Sequence, residues 1–87
     1  MDKAEIRKIL KNPSTELVNI ALGYVNLTEK ERKIIEYVEI KGITEERTAE
    51  ILDISTRNVQ TIKANAFEKI NTVWSYNLFV SILLKRV

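Results

Sequence analysis

The apolar residues of this chain recur at three- and four-residue spacing and almost nowhere alternate, the pattern of helices that each bury one stripe. Only two glycines and one proline interrupt it, so helix is predicted nearly throughout. A first segment, 2–11, places Ile6, Ile9 and Leu10 on one side. It ends at Asn12-Pro13, where Asn12 suits an N-cap and Pro13 a first helical position. A second helix is therefore expected from there, carrying Leu17, Val18, Ile20, Ala21, Leu22 and Val25 and weakened slightly by Gly23. A third opens at Leu27, with Thr28 and Glu31 at capping-box spacing and Ile34, Ile35, Tyr37 and Val38 as its buried face. Gly42 stands where a positive φ would end it. Thr44 caps a short fourth helix with Ala49, Ile51 and Leu52 inward. Asp53-Ile54 forms the connection, and Ser55 caps a fifth helix with Val59, Ile62, Ala66 and Ile70 on one face. From Asn71 an apolar segment is expected to form one more helix.

The fold class implied is all-α: a small helical bundle of about five to six helices. It reads as one domain over 1–87, with N-terminal helices in 1–26, a core in 27–70 and an apolar C-terminal helix in 71–87. Within the core, Ala49, Ile54 and Val59 fall five residues apart each time. That suits a helix-turn-helix: a small residue where two helices approach, an apolar plug in the turn, and a branched anchor one turn into the second helix. The same apolar spacing also fits an ordinary three-helix packing with no ligand.

If Val59, Ile62, Ala66 and Ile70 face inward, 100° per residue sends Arg57, Thr61, Ala64 and Glu68 outward, flanked by Gln60 and Asn65. Arginine can pair with guanine, glutamine and asparagine with adenine, and threonine can hydrogen-bond or touch a thymine methyl. Thr56 and Asn58 lie within reach of bases or phosphates, and Lys63 sits on the flank, where a phosphate is the expected partner. Thr44 and Ser55, beside the amides of helix starts, could receive phosphates. Taken alone, these polar residues also describe a solvated face.

The stretch LTEKERKIIEYVEIKGITEERTAEILDISTRNVQTIKANAFEKI resembles region four of bacterial sigma factors and the related LuxR-type helix-turn-helix. The resemblance rests on Leu27, Thr28, Glu31, Arg32, Ile35, Gly42, Ala49, Ile51, Leu52, Ile54, Ser55, Val59 and Ile70, with a sigma-type ending over 61–70. It implies a DNA-binding fold whose base readers are Thr56, Arg57, Gln60 and Thr61, much the set that helical geometry selects. Two departures stand out. Asp53 occupies a turn position where many such motifs have glycine, tolerable because Asp enters the left-handed region. Glu45 and Glu46 place acid near the DNA, where it would repel phosphate unless turned aside.

A net charge of only +2 means that any basic surface must come from local placement. Lys3, Arg7, Lys8 and Lys11 read as a solvated helix face more readily than as a phosphate track. The chain has no cysteine and no histidine, which removes disulfides, thiolate or imidazole metal sites and Ser-His or Cys-His catalysis. No metal, no cofactor and no enzyme activity is expected. The most apolar stretch, 73–84, is too short to span a bilayer, and the N-terminus lacks the apolar core of a signal peptide, so a soluble cytoplasmic protein without membrane contact is expected.

The tail carries the remaining signal. Val73, Tyr76, Val80, Leu83 and Val87 form a heptad-like stripe on a segment that is apolar nearly all round. Either the stripe joins two copies of the chain, or the segment closes the monomer core. The expected function is a small transcription regulator of a bacterium or phage. Its partners would be double-stranded DNA, RNA polymerase and a second copy of itself. A phage DNA-packaging subunit of small-terminase type, or a polymerase-binding interaction module, is the alternative.

Overall fold

The computed structural model describes residues 1–85. Among these there are helices and turns and no strand. α1 is Lys3–Leu10, α2 Thr15–Gly23, α3 Glu29–Ile34 with a π-helical continuation Ile35–Ile40, α4 Glu45–Leu52, α5 Thr56–Trp74 and α6 Leu78–Lys85. The chain forms two compact units. One is 27–66. The other joins Met1–Asn26 to the chain from Phe67 onward, so α5 gives its first turns to one and its last turns to the other.

The helix starts follow hydrogen-bond chemistry. Asp2 and Glu5 form one capping box and Thr28 and Glu31 another, each side chain satisfying a backbone N–H that the helix leaves open. The second helix departs from expectation. Its N-cap is Ser14, whose Oγ accepts from the Leu17 amide at 3.3 Å, and Pro13 precedes it. Asn12 instead accepts from the Ser14 amide at 2.9 Å. Its short side chain closes a turn two residues on, the competing use of an asparagine before proline.

The end of α3 also differs from a plain α-helix. Over Ile35–Ile40 it widens into π winding, with the Lys41 amide donating to the Glu36 carbonyl at 2.9 Å. Gly42 then takes φ +71°, and the Ile43 amide reaches back to the Tyr37 carbonyl at 2.8 Å. That closure is one residue wider than the usual glycine-capped ending, as the wider helix demands. The unit 27–66 packs Ile34, Ala49 and Val59 as its core, with Val38, Leu52, Ile54 and Ile62 against them. Ile51, expected inward, is largely exposed.

In the other unit Ile6, Ile9, Leu10, Val18, Ala21, Leu22, Phe67, Ile70, Trp74, Val80 and Leu83 are buried. Trp74 is its largest buried side chain, and its Nε1–H donates to the Ala21 carbonyl at 2.8 Å. The tail is two helices and not the single one expected. α5 stops at Trp74, and Asn77 restarts the chain by accepting from the Val80 amide at 3.1 Å. The break has a packing reason: a straight helix apolar on every side cannot turn every side inward, whereas two short helices both can face one core. Val80 and Leu83, assigned to an oligomerisation stripe with Val73 and Tyr76, are consequently buried within the single chain. Val73 is half-buried, Tyr76 is 91% exposed, and Val87 lies outside the described residues. The four do not make one outward face.

Candidate nucleic-acid interface

The site is built from the turn between α4 and α5. Thr44 caps α4 by accepting from the Arg47 amide at 3.1 Å. After the eight residues of α4, Asp53 ends the helix at φ 56° and ψ 48°, the left-handed conformation that a short polar side chain tolerates better than other non-glycine residues. The Ile54 amide then donates to the Ala49 carbonyl at 3.0 Å, which folds Ile54 back onto the core beside Ala49 and Val59. The three residues spaced by five in sequence thus meet at one point. Ser55 accepts from the Asn58 amide at 3.0 Å and opens α5.

With Val59 and Ala66 fully buried, the opposite side of α5 is fixed. Arg57, Asn58, Gln60, Thr61, Ala64 and Asn65 are exposed there, as are Thr44 and Ser55 at the two caps, while Thr56 is half-buried. Among the described residues no acidic side chain pairs with Arg57 or holds Asn65. Hydrogen-bonding side chains on the first turns of an exposed helix are what a groove-reading helix needs.

Lys63 stands apart from this face. It was expected to be open to phosphate, but its side chain is 19% exposed and its Nζ lies 2.8 Å from Glu45 Oε2 and 3.6 Å from Glu39 Oε2. Glu39 comes from the π-helical turn and Glu45 from the start of α4, so Lys63 ties α5 to both elements within the unit. Gln60 joins the same network, its Nε2–H donating to Glu45 Oε1 at 3.3 Å. The bonds from Lys63 and Gln60 hold the Glu45 carboxyl below its ordinary value, against a smaller opposing effect of burial. Glu50 is paired with Arg47 at 3.0 Å. The acid near the reading face is therefore partly neutralised in place. Sequence reasoning placed Glu45 near the DNA but missed Glu39 and the pairing of Glu45 with Lys63 and Gln60, because no periodic spacing links 39, 45, 60 and 63.

Thr48 is fully buried, and its Oγ1 has no hydrogen-bond partner among the described residues. Among the described residues no cluster of carboxylates could hold a metal ion, and no helix is long and apolar enough to cross a membrane.

The family model for bacterial regulatory proteins of the luxR family matches residues 25–80. That span contains α3, α4, α5 and the turn between the last two. The match carries the LuxR-type side of the resemblance and does not extend to the sigma factors. No curated protein and no solved structure matches the chain significantly.

Proposed function

The chain belongs to the LuxR family of bacterial regulatory proteins, which makes it a DNA-binding helix-turn-helix regulator, and we propose that it recognises a specific sequence by laying the start of α5 in the major groove. The observation that carries this is the exposed polar face of α5, Arg57, Asn58, Gln60, Thr61 and Asn65, set opposite the buried Val59 and Ala66. Arg57 and Gln60 read base edges. Thr44, Ser55 and Thr56 position the domain on phosphates through the helix starts. Lys63 braces α5 in place of contacting phosphate directly. A regulator of this kind works in the bacterial cytoplasm, where the DNA is.

Selection of bound fragments from genomic DNA tests the proposal. A sharp consensus is expected, and it should blur when Arg57→Ala and Gln60→Ala are combined. Unchanged affinity and preference in that double variant would remove α5 as the reader. A bound set without consensus would favour a packaging function.

One recognition helix covers few base pairs, and a second copy about a two-fold axis would double them. The exposed apolar residues Ile20, Tyr24, Tyr76, Leu78 and Ile82 support a protein contact of this kind. Sedimentation equilibrium distinguishes a self-associating chain from one that turns the same residues to RNA polymerase.

A further inference from the structure

Glu45 is the first helical residue of α4, and its two carboxylate oxygens are divided between two neighbours on α5. Oε2 lies 2.8 Å from Lys63 Nζ, and Oε1 accepts from Gln60 Nε2 at 3.3 Å. Lys63 is itself steadied by Glu39 at 3.6 Å, whose side chain is 8% exposed. The carboxylate that meets Gln60 is therefore fixed in position and kept charged.

A side-chain amide has two unlike ends: its NH₂ donates and its oxygen accepts. An unrestrained glutamine can turn either end toward a base and satisfies acceptors and donors alike. An ionised carboxylate only accepts. Contact with Glu45 thus admits one orientation, NH₂ toward the carboxylate, because the reverse sets a carbonyl oxygen against an anion. One N–H is spent on Glu45. The second N–H and the carbonyl oxygen remain for DNA, side by side in fixed order. Adenine offers the matching pair in the major groove, an acceptor at N7 and a donor at N6. Guanine offers two acceptors, and thymine and cytosine each engage only one end.

We propose that Glu45 sets the base specificity at the position Gln60 reads, fixing the orientation of the Gln60 amide so that it selects adenine. This rests on the proposal that α5 reads the major groove. It assigns Glu45 a positioning role with no contact to the base.

The experiment is a base-substitution series around the selected site, with wild type, Q60A, E45Q, E45A and the Q60A/E45Q double variant. Glu45→Gln keeps the size and the helix start, but its amide donates as well as accepts, so both orientations of Gln60 become allowed. Wild type should favour adenine at one position by about tenfold, the size of a good bidentate contact. Both Glu45 variants should reduce that to about threefold or less and leave preferences elsewhere intact. Q60A should lose preference at the same base pair, with no further loss in the double variant. Removing a charge near phosphates would by itself change affinity equally for all sequences, which the series separates from a change at one position. In the free protein, the Gln60 side-chain NH₂ resonances should shift with pH as Glu45 titrates, below the ordinary carboxylate range, and should stop doing so in E45Q.

Adenine preference that survives both E45Q and E45A while Q60A abolishes it overturns the role of Glu45 and leaves the groove-reading proposal standing. Preferences untouched by Q60A remove Gln60 as a reader and overturn the role of Glu45, whereas the groove-reading proposal falls only if the combined Arg57→Ala and Gln60→Ala variant also keeps its preferences. Should E45Q fail to fold, the wild-type titration still decides: Gln60 resonances indifferent to pH overturn the contact.

Discussion

The unit 27–66 and the unit built from the two ends of the chain are both helical, but they are held in different ways. In the first, backbone devices dominate: the Thr28–Glu31 box, Gly42 at positive φ, the Thr44 cap, Asp53 in the left-handed region and the Ser55 cap follow one another along the chain. Its core is small, Ile34, Ala49 and Val59 with four half-buried neighbours, and charged pairs bind its helices together. In the second, large apolar residues far apart in sequence converge, and one tryptophan both fills the centre and donates to a carbonyl 53 residues away. The first unit spends its surface on an exposed polar face. Of its large apolar residues, the second buries or half-buries all but Ile20, Tyr24, Tyr76, Leu78 and Ile82 among the described residues. Local hydrogen bonds set where the helices of the first unit begin and end, and its small core and ion pairs hold them at a set angle; larger apolar contacts are needed where segments from both ends of the chain must be gathered.

Breaking the second unit should have the largest effect. Trp74→Ala is expected to cost about 3–5 kcal/mol, a large share of the stability of a small domain. Urea unfolding checks it, and a loss under about 1 kcal/mol would show that Trp74 is not the centre of that unit. The first unit should break functionally before it breaks structurally. Arg57→Ala should cost about 1–3 kcal/mol of affinity at the cognate site with an unchanged melting temperature. A fall in both would place Arg57 in the fold.

Smaller changes sharpen the contrast. Gly42→Ala meets no atom within 4 Å, so its cost is conformational alone, about 1–2 kcal/mol for the positive φ. Unaltered stability would mean that the turn relaxes. Thr48→Val removes a buried hydroxyl without a partner and should leave stability unchanged or raise it by up to about 1 kcal/mol. A clear loss would reveal a bonded hydroxyl.

The smallest expected effect is a pH dependence. The Glu45 carboxyl lies below its ordinary value of 4.5 in the folded chain, so its contribution is fully present above that value. It is lost as pH falls through the lower folded value. Melting curves from neutral to about pH 3 should show wild type and E45Q converging on the acid side. Parallel curves would mean that the Lys63 and Gln60 contacts add nothing to stability.

Much of this was legible because it is local. A threonine three residues before a glutamate, a glycine after an apolar stripe and a serine after Asp53-Ile54 act on backbone groups within four residues, so residue type and spacing suffice to place them. The outward set on α5 followed from the positions of Val59 and Ala66 by helical period alone. The errors have one cause, competition that spacing cannot resolve. Asn12 can cap a helix or close a turn, and an apolar tail can run straight or break at Asn77. Ile51 carries an apolar side chain on a surface that nothing covers.

By itself, then, the sequence determined that the chain is helical, where the helix-turn-helix lies, and which side chains of α5 face outward. These depend on backbone hydrogen bonds and on a period that neighbouring residues impose. Only the tertiary structure decided that Lys63 sits between Glu39 and Glu45, that Gln60 is held by one of them, and that Val80 and Leu83 belong to the core. Each of those depends on residues separated in sequence being brought within a few ångströms. Packing decides that, because a charge or a methyl group takes whichever partner the folded chain places beside it.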